Sequence, residues 1–131
     1  RHNSEIDQML NKFTKKKINF SFTPHLSPMF RGIFSTIYID LEKGINQSKV
    51  IKKLSDFYKK DDFVKIMKAD SWISTNDVIN TNNCFISVCK SKYKNKIIIL
   101  STIDNLIKGG AGQAVQNLNL KFNFPLKIGL L

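Results

Sequence analysis

The chain has 131 residues, of which 42% are hydrophobic, and this length accommodates one domain with a core of its own. Twenty-one Lys and Arg residues against 10 Asp and Glu residues give a formal net charge of +11. The longest purely apolar run, 97–100, is too short to cross a bilayer, and no signal-peptide pattern is present. Composition therefore argues against a membrane-spanning protein and predicts a globular domain.

The positive charge admits two interpretations. A basic surface can neutralise the phosphates of a nucleic acid. However, only Arg1 and Arg31 are arginines, and the lysines are spread along the whole chain. We favour a solvated lysine-rich surface with no specific nucleic-acid partner and no membrane partner. A stand-alone basic interaction or nucleic-acid-binding module remains the alternative.

The first third of the chain has the pattern of a helix followed by two strands. Ile6, Met9, Leu10 and Phe13 repeat at helical spacing, with Asn3 or Ser4 ahead of them as the N-cap. Residues 18–23 (INFSFT) alternate apolar and polar side chains, which predicts a half-buried strand. After a loop that begins and ends with proline (PHLSP), the β-branched run 32–41 predicts a core strand.

The remainder of the chain has the pattern of a helix, three strands and a last helix. Ser48 is predicted to open the second amphipathic helix. Residues 63–67 (FVKIM) and 84–90 (CFISVCK) are predicted strands, and a KNK turn leads into a further strand at 97–103. The last helix is predicted from about 111 to 120.

This order is not a strict alternation of strand and helix. It predicts a single α+β domain over 1–131, with a largely antiparallel, mixed sheet and helices on one face. Cys84 and Cys89 lie on one predicted strand at a spacing that points them to opposite faces, which argues against a disulfide between them. Without a second pair of cysteines to complete a zinc site, we expect no metal and a reducing compartment.

A glycine-rich turn follows the last predicted strand. Its sequence, GAGQAV from Gly110, is close to G-x-G-x-x-G but ends in Val115, and no acidic residue follows at the spacing of a dinucleotide site. Two readings remain open. The glycines permit close packing of the helix on the sheet, or they let an anion approach the helix N-terminus.

Several stretches together resemble one enzyme family. RHNSEI, FTPHLSPMFRGIFSTIY, TNNCFISV and STIDNLIKGGAGQAVQNLNLKFNFP are similar to the C-terminal half of N-acetyl-gamma-glutamyl-phosphate reductase. The resemblance implies a fold like the C-terminal domain of glyceraldehyde-3-phosphate dehydrogenase. It also implies that this domain of the reductase is the dimerisation domain. It further implies an N-terminal Rossmann domain, outside this chain, that carries the nucleophilic cysteine and most of the NADP site.

The resemblance also implies roles for the first residues. The family pattern HRHxPEI aligns with Arg1, His2 and Glu5, which implies that His2 is the acid/base group, that Arg1 binds the substrate, and that Glu5 orients His2 or contacts the substrate. Histidine suits this role because its pKa lies near working pH. Without the family, His2 would be a solvated residue ahead of a helix.

Further candidates lie along the chain. Arg31 could hold the substrate carboxylate with two hydrogen bonds or form a structural ion pair at a dimer face. His25 is a second substrate-binding candidate or an ordinary loop histidine. The resemblance assigns Asn105 to the nicotinamide carboxamide. The glycine turn completes the cofactor-binding candidates, which are Gly109, Gly110 and Gly112.

The resemblance therefore predicts part of an NADPH-dependent reductase of arginine biosynthesis. Its reaction converts N-acetyl-glutamyl 5-phosphate to the 5-semialdehyde through a cysteine thioester. A paralogous reductase of another amino-acid acyl phosphate is the enzymatic alternative. We expect a cytoplasmic or organellar homodimer, and no reductase activity from residues 1–131 alone.

Overall fold

A computed structural model describes residues 2–14 and 18–130 of the chain. In that part of the chain, the regular elements are α1 (Asn3–Phe13), β1 (Ile33–Asp40), α2 (Gln47–Tyr58), β2 (Val64–Ile66), β3 (Cys84–Lys90), β4 (Lys96–Ile103) and α3 (Gly112–Lys121). A 3-10 turn lies at Thr75–Asp77, and a π-helical turn at Ile107–Ala111 leads directly into α3. None of the described helices is long and apolar enough to cross a membrane.

The four strands form one mixed sheet in the order β1-β4-β3-β2. β4 pairs antiparallel with both β1 and β3, whereas β2 runs parallel to β3. α2 packs against β2 and β3. The predicted α+β class with a largely antiparallel sheet is confirmed. The antiparallel pairing places the start of β1 beside the end of β4.

The core lies at the two central strands and in the connection that leads to β3. The buried apolar side chains of the described residues are Phe63, Ile73, Val78, Val88 and Ile97. The edge strand β1 is different, because apolar side chains on both of its faces stay exposed. Ile33 and Ile37 retain 47% and 46% of their accessible surface on one face, and Tyr38 retains 73% on the other. β1 therefore offers an apolar surface to a neighbour.

The prediction of a strand at 18–23 is wrong. Residues 18–30 contain no strand, and the stretch from Phe20 to Thr23 instead lines a recess beside the first turn of α1. Alternating apolar residues indicate only that one side of a segment is covered, whereas a strand also needs a neighbour for its backbone hydrogen bonds. We refer to residues 2–14 and 18–30 as the amino-terminal arm.

The predicted helix starts also need correction. α1 begins at Asn3, with His2 in the N-cap position and no side-chain capping hydrogen bond. α2 is capped by Asn46, whose Oδ1 accepts from the backbone N–H of Lys49 at 3.0 Å, so Ser48 lies inside the helix and does not open it. Asn and Ser are comparable N-caps, so local propensity did not distinguish them.

Candidate functional site

The polypeptide turns sharply where β4 ends. The backbone N–H of Gly109 donates to the Asp104 carbonyl at 2.9 Å, and that of Ala111 donates to the Leu106 carbonyl at 3.0 Å. Both bonds span five residues, which is the pattern of a π-helical turn and is found often at functional sites. The turn carries the chain from the end of β4 into α3.

The Asp104 carboxylate closes the start of this turn. Its Oδ1 accepts from the N–H groups of Leu106 at 2.9 Å and Ile107 at 3.1 Å, so Asp104 acts as the N-terminal cap. Its Oδ2 accepts from Arg31 Nη2 at 2.6 Å and from the Asn80 N–H at 2.7 Å. The Asp104 carboxylate therefore satisfies the N–H groups that open the turn, ahead of its glycines.

Asp104 is fully buried, and its charge is compensated on all sides. Burial alone would raise its pKa, but the Arg31 guanidinium and the N–H groups of Asn80, Leu106 and Ile107 outweigh burial and hold the pKa at about 2. Asp104 is therefore ionised at neutral pH. We call Arg31, Gly32, Asn80, Asp104 and Asn105 the Asp104 cluster.

Arg31 and Gly32, just after the PHLSP loop, bring that part of the chain to Asp104 and Asn105. The Gly32 N–H donates to Asn105 Oδ1 at 2.7 Å, beside the ion pair between Arg31 and Asp104. Gly32 has a φ of +114°, and a Cβ there would lie 2.7 Å from the Thr75 side chain. Both the backbone conformation and the close contact require glycine, so the position of Arg31 is set on its C-terminal side.

The three candidate glycines differ in their surroundings. Gly112 is buried, and a Cβ there would lie 2.5 Å from Asn82 Oδ1 and 2.6 Å from Ile107 Cγ2. Gly109 and Gly110 are exposed, and Gly110 has a non-helical conformation with φ −149° and ψ −112°. Close packing thus explains Gly112, whereas Gly109 and Gly110 present backbone to the outside.

Two amides and a lysine connect the glycine turn to α3 and to the segments ahead of β2 and β3. Gln116 Oε1 on α3 accepts from Lys108 Nζ at 2.7 Å and from Asn82 Nδ2 at 2.9 Å. The Lys108 ammonium also lies 5.4 Å from the centre of the Phe63 ring. Burial lowers the pKa of Lys108 from its usual value. The turn is therefore held by polar contacts on both of its sides.

His2 and Glu5 meet at the start of α1. His2 Nδ1 lies 3.4 Å from Glu5 Oε2, one helical turn away, and the two side chains are 65% and 75% exposed. The His2 ring also contacts the Phe22 ring edge to face, with 6.3 Å between the ring centres. The predicted proximity of His2 and Glu5 is thus present, on the surface of the amino-terminal arm.

The other two candidates on the arm are less defined. Arg1 lies outside the described residues. His25 is exposed in the loop, and no hydrogen bond connects its side chain to another described residue.

The structure thus separates the candidates into two groups. It brings Arg31 and Asn105 together with the exposed glycines of the turn, and it brings His2 together with Glu5. No hydrogen bond or ion pair between described residues connects the two groups. Their roles in substrate and cofactor binding remain predictions.

The cysteines lie apart from both groups. Both thiols are free, and the strand register places Cys84 and Cys89 on opposite faces of the sheet, as predicted. Cys84 Sγ lies 3.6 Å from Ser101 Oγ, and Cys89 Sγ lies 3.6 Å from Ser87 Oγ. Each thiol is thus in contact with a neighbouring hydroxyl of the sheet.

Sequence reasoning missed the residues that hold the site together. Asp104, Asn82 and Gln116 were not predicted to have a role, although Asp104 carried a usable signal. An Asp directly after a strand and before a helical run is a preferred N-cap. Nothing local indicated that the same carboxylate would pair with Arg31, because 73 residues separate the two.

Comparison with protein families identifies the chain. The family model described as "Semialdehyde dehydrogenase, dimerisation domain" matches residues 1–105. The chain belongs to this family. The match includes β1, β4 and the Asp104 cluster, so the cluster lies within a semialdehyde dehydrogenase dimerisation domain.

Similar proteins share one name. The chain is 45% identical over 130 residues to N-acetyl-gamma-glutamyl-phosphate reductase of Vesicomyosocius okutanii, covering 99% of this chain and 37% of that protein. The chain is also 44% identical to N-acetyl-gamma-glutamyl-phosphate reductase of Thermoanaerobacter pseudethanolicus, over 93% of this chain and 36% of that protein. An Arabidopsis thaliana protein named "Probable N-acetyl-gamma-glutamyl-phosphate reductase, chloroplastic" is 40% identical over the whole chain, which covers 33% of that protein. The dimerisation domain thus spans about a third of these relatives.

A solved structure has the same fold. Aspartate semialdehyde dehydrogenase II from Vibrio cholerae superposes with a TM-score of 0.55 at 20% identity, over 74% of this chain and 29% of that one. At this identity the likeness establishes the dehydrogenase C-terminal fold alone.

Proposed function

We propose that the chain is the dimerisation and substrate-binding part of an NADPH-dependent N-acetyl-glutamyl-phosphate reductase. The observation that carries this proposal is the 45% identity to a protein of that name over 99% of the chain. The pairing of His2 with Glu5 and of Arg31 with Asp104 supports it, because each pair provides a charged or titratable group that this reaction needs.

The proposed reaction is a reductive removal of phosphate. A cysteine thiolate in another part of the reductase attacks the acyl carbon, the bond to the phosphate oxygen breaks, and phosphate leaves. A nicotinamide cofactor, when bound, would supply the hydride that reduces the resulting thioester, and the thiolate would then leave the semialdehyde; Asn105, Gly109 and Gly110 are the residues of this chain that would hold its nicotinamide. Covalent catalysis of this kind replaces one difficult step with two easier ones.

In this proposal His2 is the acid/base group. Glu5 lies 3.4 Å from His2 Nδ1, so its carboxylate can hold that nitrogen in its protonated form and leave Nε2 to exchange a proton at the reacting carbonyl oxygen. Both side chains are largely exposed, and we propose that substrate and the rest of the reductase cover them. Arg1 and His25 extend the proposed substrate-binding surface of the arm.

Arg31 is the proposed partner of the substrate carboxylate. It donates one hydrogen bond to Asp104, while its Nε has no partner among the described residues and 17% of its side chain stays exposed. A guanidinium has five N–H donors in a planar fork, so a second carboxylate can bind beside the first.

Asn105 and the exposed glycines fit a nicotinamide cofactor. Asn105 uses its Oδ1 to accept from Gly32, and its Nδ2 donates no hydrogen bond to another described residue. That amide N–H is suited to the oxygen of a carboxamide. Gly109 and Gly110 allow the ring to approach the backbone, and we propose that Gly112 supports them through close packing.

The apolar surface of β1 supports a homodimer. Ile33, Ile37 and Tyr38 are each between 46% and 73% exposed on an edge strand of the sheet. Such a surface calls for a covering partner, and a second copy fits a dimerisation domain. We propose the cytoplasm or an organelle as the compartment, since both thiols are free and the Arabidopsis relative is named as chloroplastic.

Activity of the complete reductase that contains this chain tests the proposal. We expect NADPH oxidation with N-acetyl-glutamyl 5-phosphate and little with aspartyl 4-phosphate at equal concentration. Faster turnover of aspartyl phosphate would favour a paralogous reductase, and no reaction with either acyl phosphate would reject the proposal.

A further inference from the structure

One carboxylate connects three distant segments of the chain. Asp104 accepts from Arg31 just after the PHLSP loop, from Asn80 ahead of β3, and from Leu106 and Ile107 at the start of the π-helical turn. Its side chain has no exposed surface. The position of Arg31 relative to the glycine turn therefore depends on Asp104.

Asp104 holds only one edge of the Arg31 fork. The contact is through Nη2, at 2.6 Å, and Nε is buried without a partner among the described residues. The backbone that follows Arg31 is also fixed, because the Gly32 N–H donates to Asn105 Oδ1. The guanidinium is thus oriented from the side chain and from the backbone, and it retains free donors.

The cap and the ion pair stabilise the turn, but stability does not by itself require a guanidinium at this place. Replacing a buried ion pair by apolar residues of similar volume is often neutral or stabilising. An apolar pair, however, contains no guanidinium. Only a guanidinium that is held in a fixed orientation can bind a carboxylate by two parallel hydrogen bonds. A displacement of about 1 Å in such a group can cost roughly 100-fold in rate.

We propose that Asp104 is a positioning residue that orients the Arg31 guanidinium toward the carboxylate of the acyl-phosphate substrate. This inference rests on the proposed function. It adds that substrate recognition by Arg31 requires the buried carboxylate behind it, so the two residues act as one unit.

A double-mutant cycle in the complete reductase tests this coupling. Asp104→Asn keeps the size of the side chain but removes its charge, and we expect the KM for the acyl phosphate to rise roughly 10-fold or more. The KM for NADPH should change less than about 2-fold, because the effect acts through Arg31. In an Arg31→Lys background, which has no planar fork to orient, Asp104→Asn should add less than about 3-fold.

The matched control is Asp70→Asn. Asp70 also accepts a backbone N–H, from Lys90 at 2.7 Å, and a side-chain amide, from Gln47 at 3.0 Å, but it is exposed and outside the Asp104 cluster. We expect both KM values to stay within about 2-fold of the wild type. Equal rises in both KM values of Asp104→Asn, or a full repeat of its effect in the Arg31→Lys background, would overturn the inference.

Arg31→Lys alone keeps the test decisive if Asp104→Asn does not fold. Lysine preserves the charge opposite Asp104 but lacks the fork, so the KM for the acyl phosphate should rise roughly 10-fold with only a small loss of stability. An unchanged KM would overturn the inference. A wild-type enzyme that reduces no acyl phosphate would instead reject the proposed function.

Discussion

The amino-terminal arm and the Asp104 cluster carry the two groups of proposed site residues, but they are held in different ways. α1 buries none of its residues, and Phe30 at the end of the arm is 92% exposed. Asp104 is fully buried and accepts four hydrogen bonds. The cluster is therefore preorganised by this chain, whereas we expect the arm to take its final position against other parts of the assembled protein.

A pair of phenylalanines provides the largest expected contrast in stability. Phe63 is 5% exposed and lies beneath Lys108. Phe63→Ala should lower the unfolding free energy by about 3–5 kcal/mol. Phe30→Ala in the arm should change it by less than about 0.5 kcal/mol. Urea denaturation of the complete protein measures both. Similar losses for the two variants would show that the arm is packed as firmly as the core around Phe63.

The arm should matter for catalysis and little for stability. His2→Asn removes the titrating nitrogens, and we expect kcat to fall roughly 100-fold or more with the KM for NADPH nearly unchanged. The unfolding free energy should change by less than about 0.5 kcal/mol, because His2 is exposed. The control is Gln8→Asn, an exposed change on the same helix. Near-normal kcat at all pH values would reject the acid/base role and make His25 the next candidate.

Two glycines test whether the turn is held by packing. Gly112→Ala places a methyl group 2.5 Å from Asn82 Oδ1, and we expect a loss of about 1–3 kcal/mol of unfolding free energy. Gly109→Ala meets only ordinary contacts, the nearest at 3.4 Å, and should be nearly neutral. Thermal unfolding of the two variants measures the difference. A neutral Gly112→Ala would mean that the turn is looser than this packing implies.

The cluster should also respond to acid. The pKa of Asp104 is lowered from 3.8 to about 2 on folding, so its ionised form stabilises the protein above about pH 4, and this contribution is lost as the pH falls toward 2. The contribution is about 2 kcal/mol. The stability difference between wild type and Asp104→Asn should therefore narrow between pH 5 and about pH 2.5. A constant difference over this range would contradict the assignment of the shift to Asp104.

Local patterns predicted most of the sheet. Residues 32–41, 84–90 and 97–103 are apolar and β-branched, and each became a strand within about a residue of its predicted end. The segment 18–23 has a similar alternation but became part of the arm, because no strand lies beside it to share hydrogen bonds. The apolar periodicity of a segment indicates which of its sides is covered. Whether the segment becomes a strand depends on a neighbouring strand that can share its backbone hydrogen bonds.

The sequence by itself determined the fold class, the family and the identity of the main site candidates. His2, Arg31 and Asn105 each lie within a continuous stretch that resembles the family, so a local comparison finds them. Only the tertiary structure decided how these candidates are grouped. The contact between Arg31 and Asp104 joins residues 73 apart, and it forms because antiparallel pairing of β1 with β4 brings the start of one strand to the end of the other. A long-range ion pair of this kind leaves no periodic signal in the sequence, because the two residues become neighbours only through the register of the sheet.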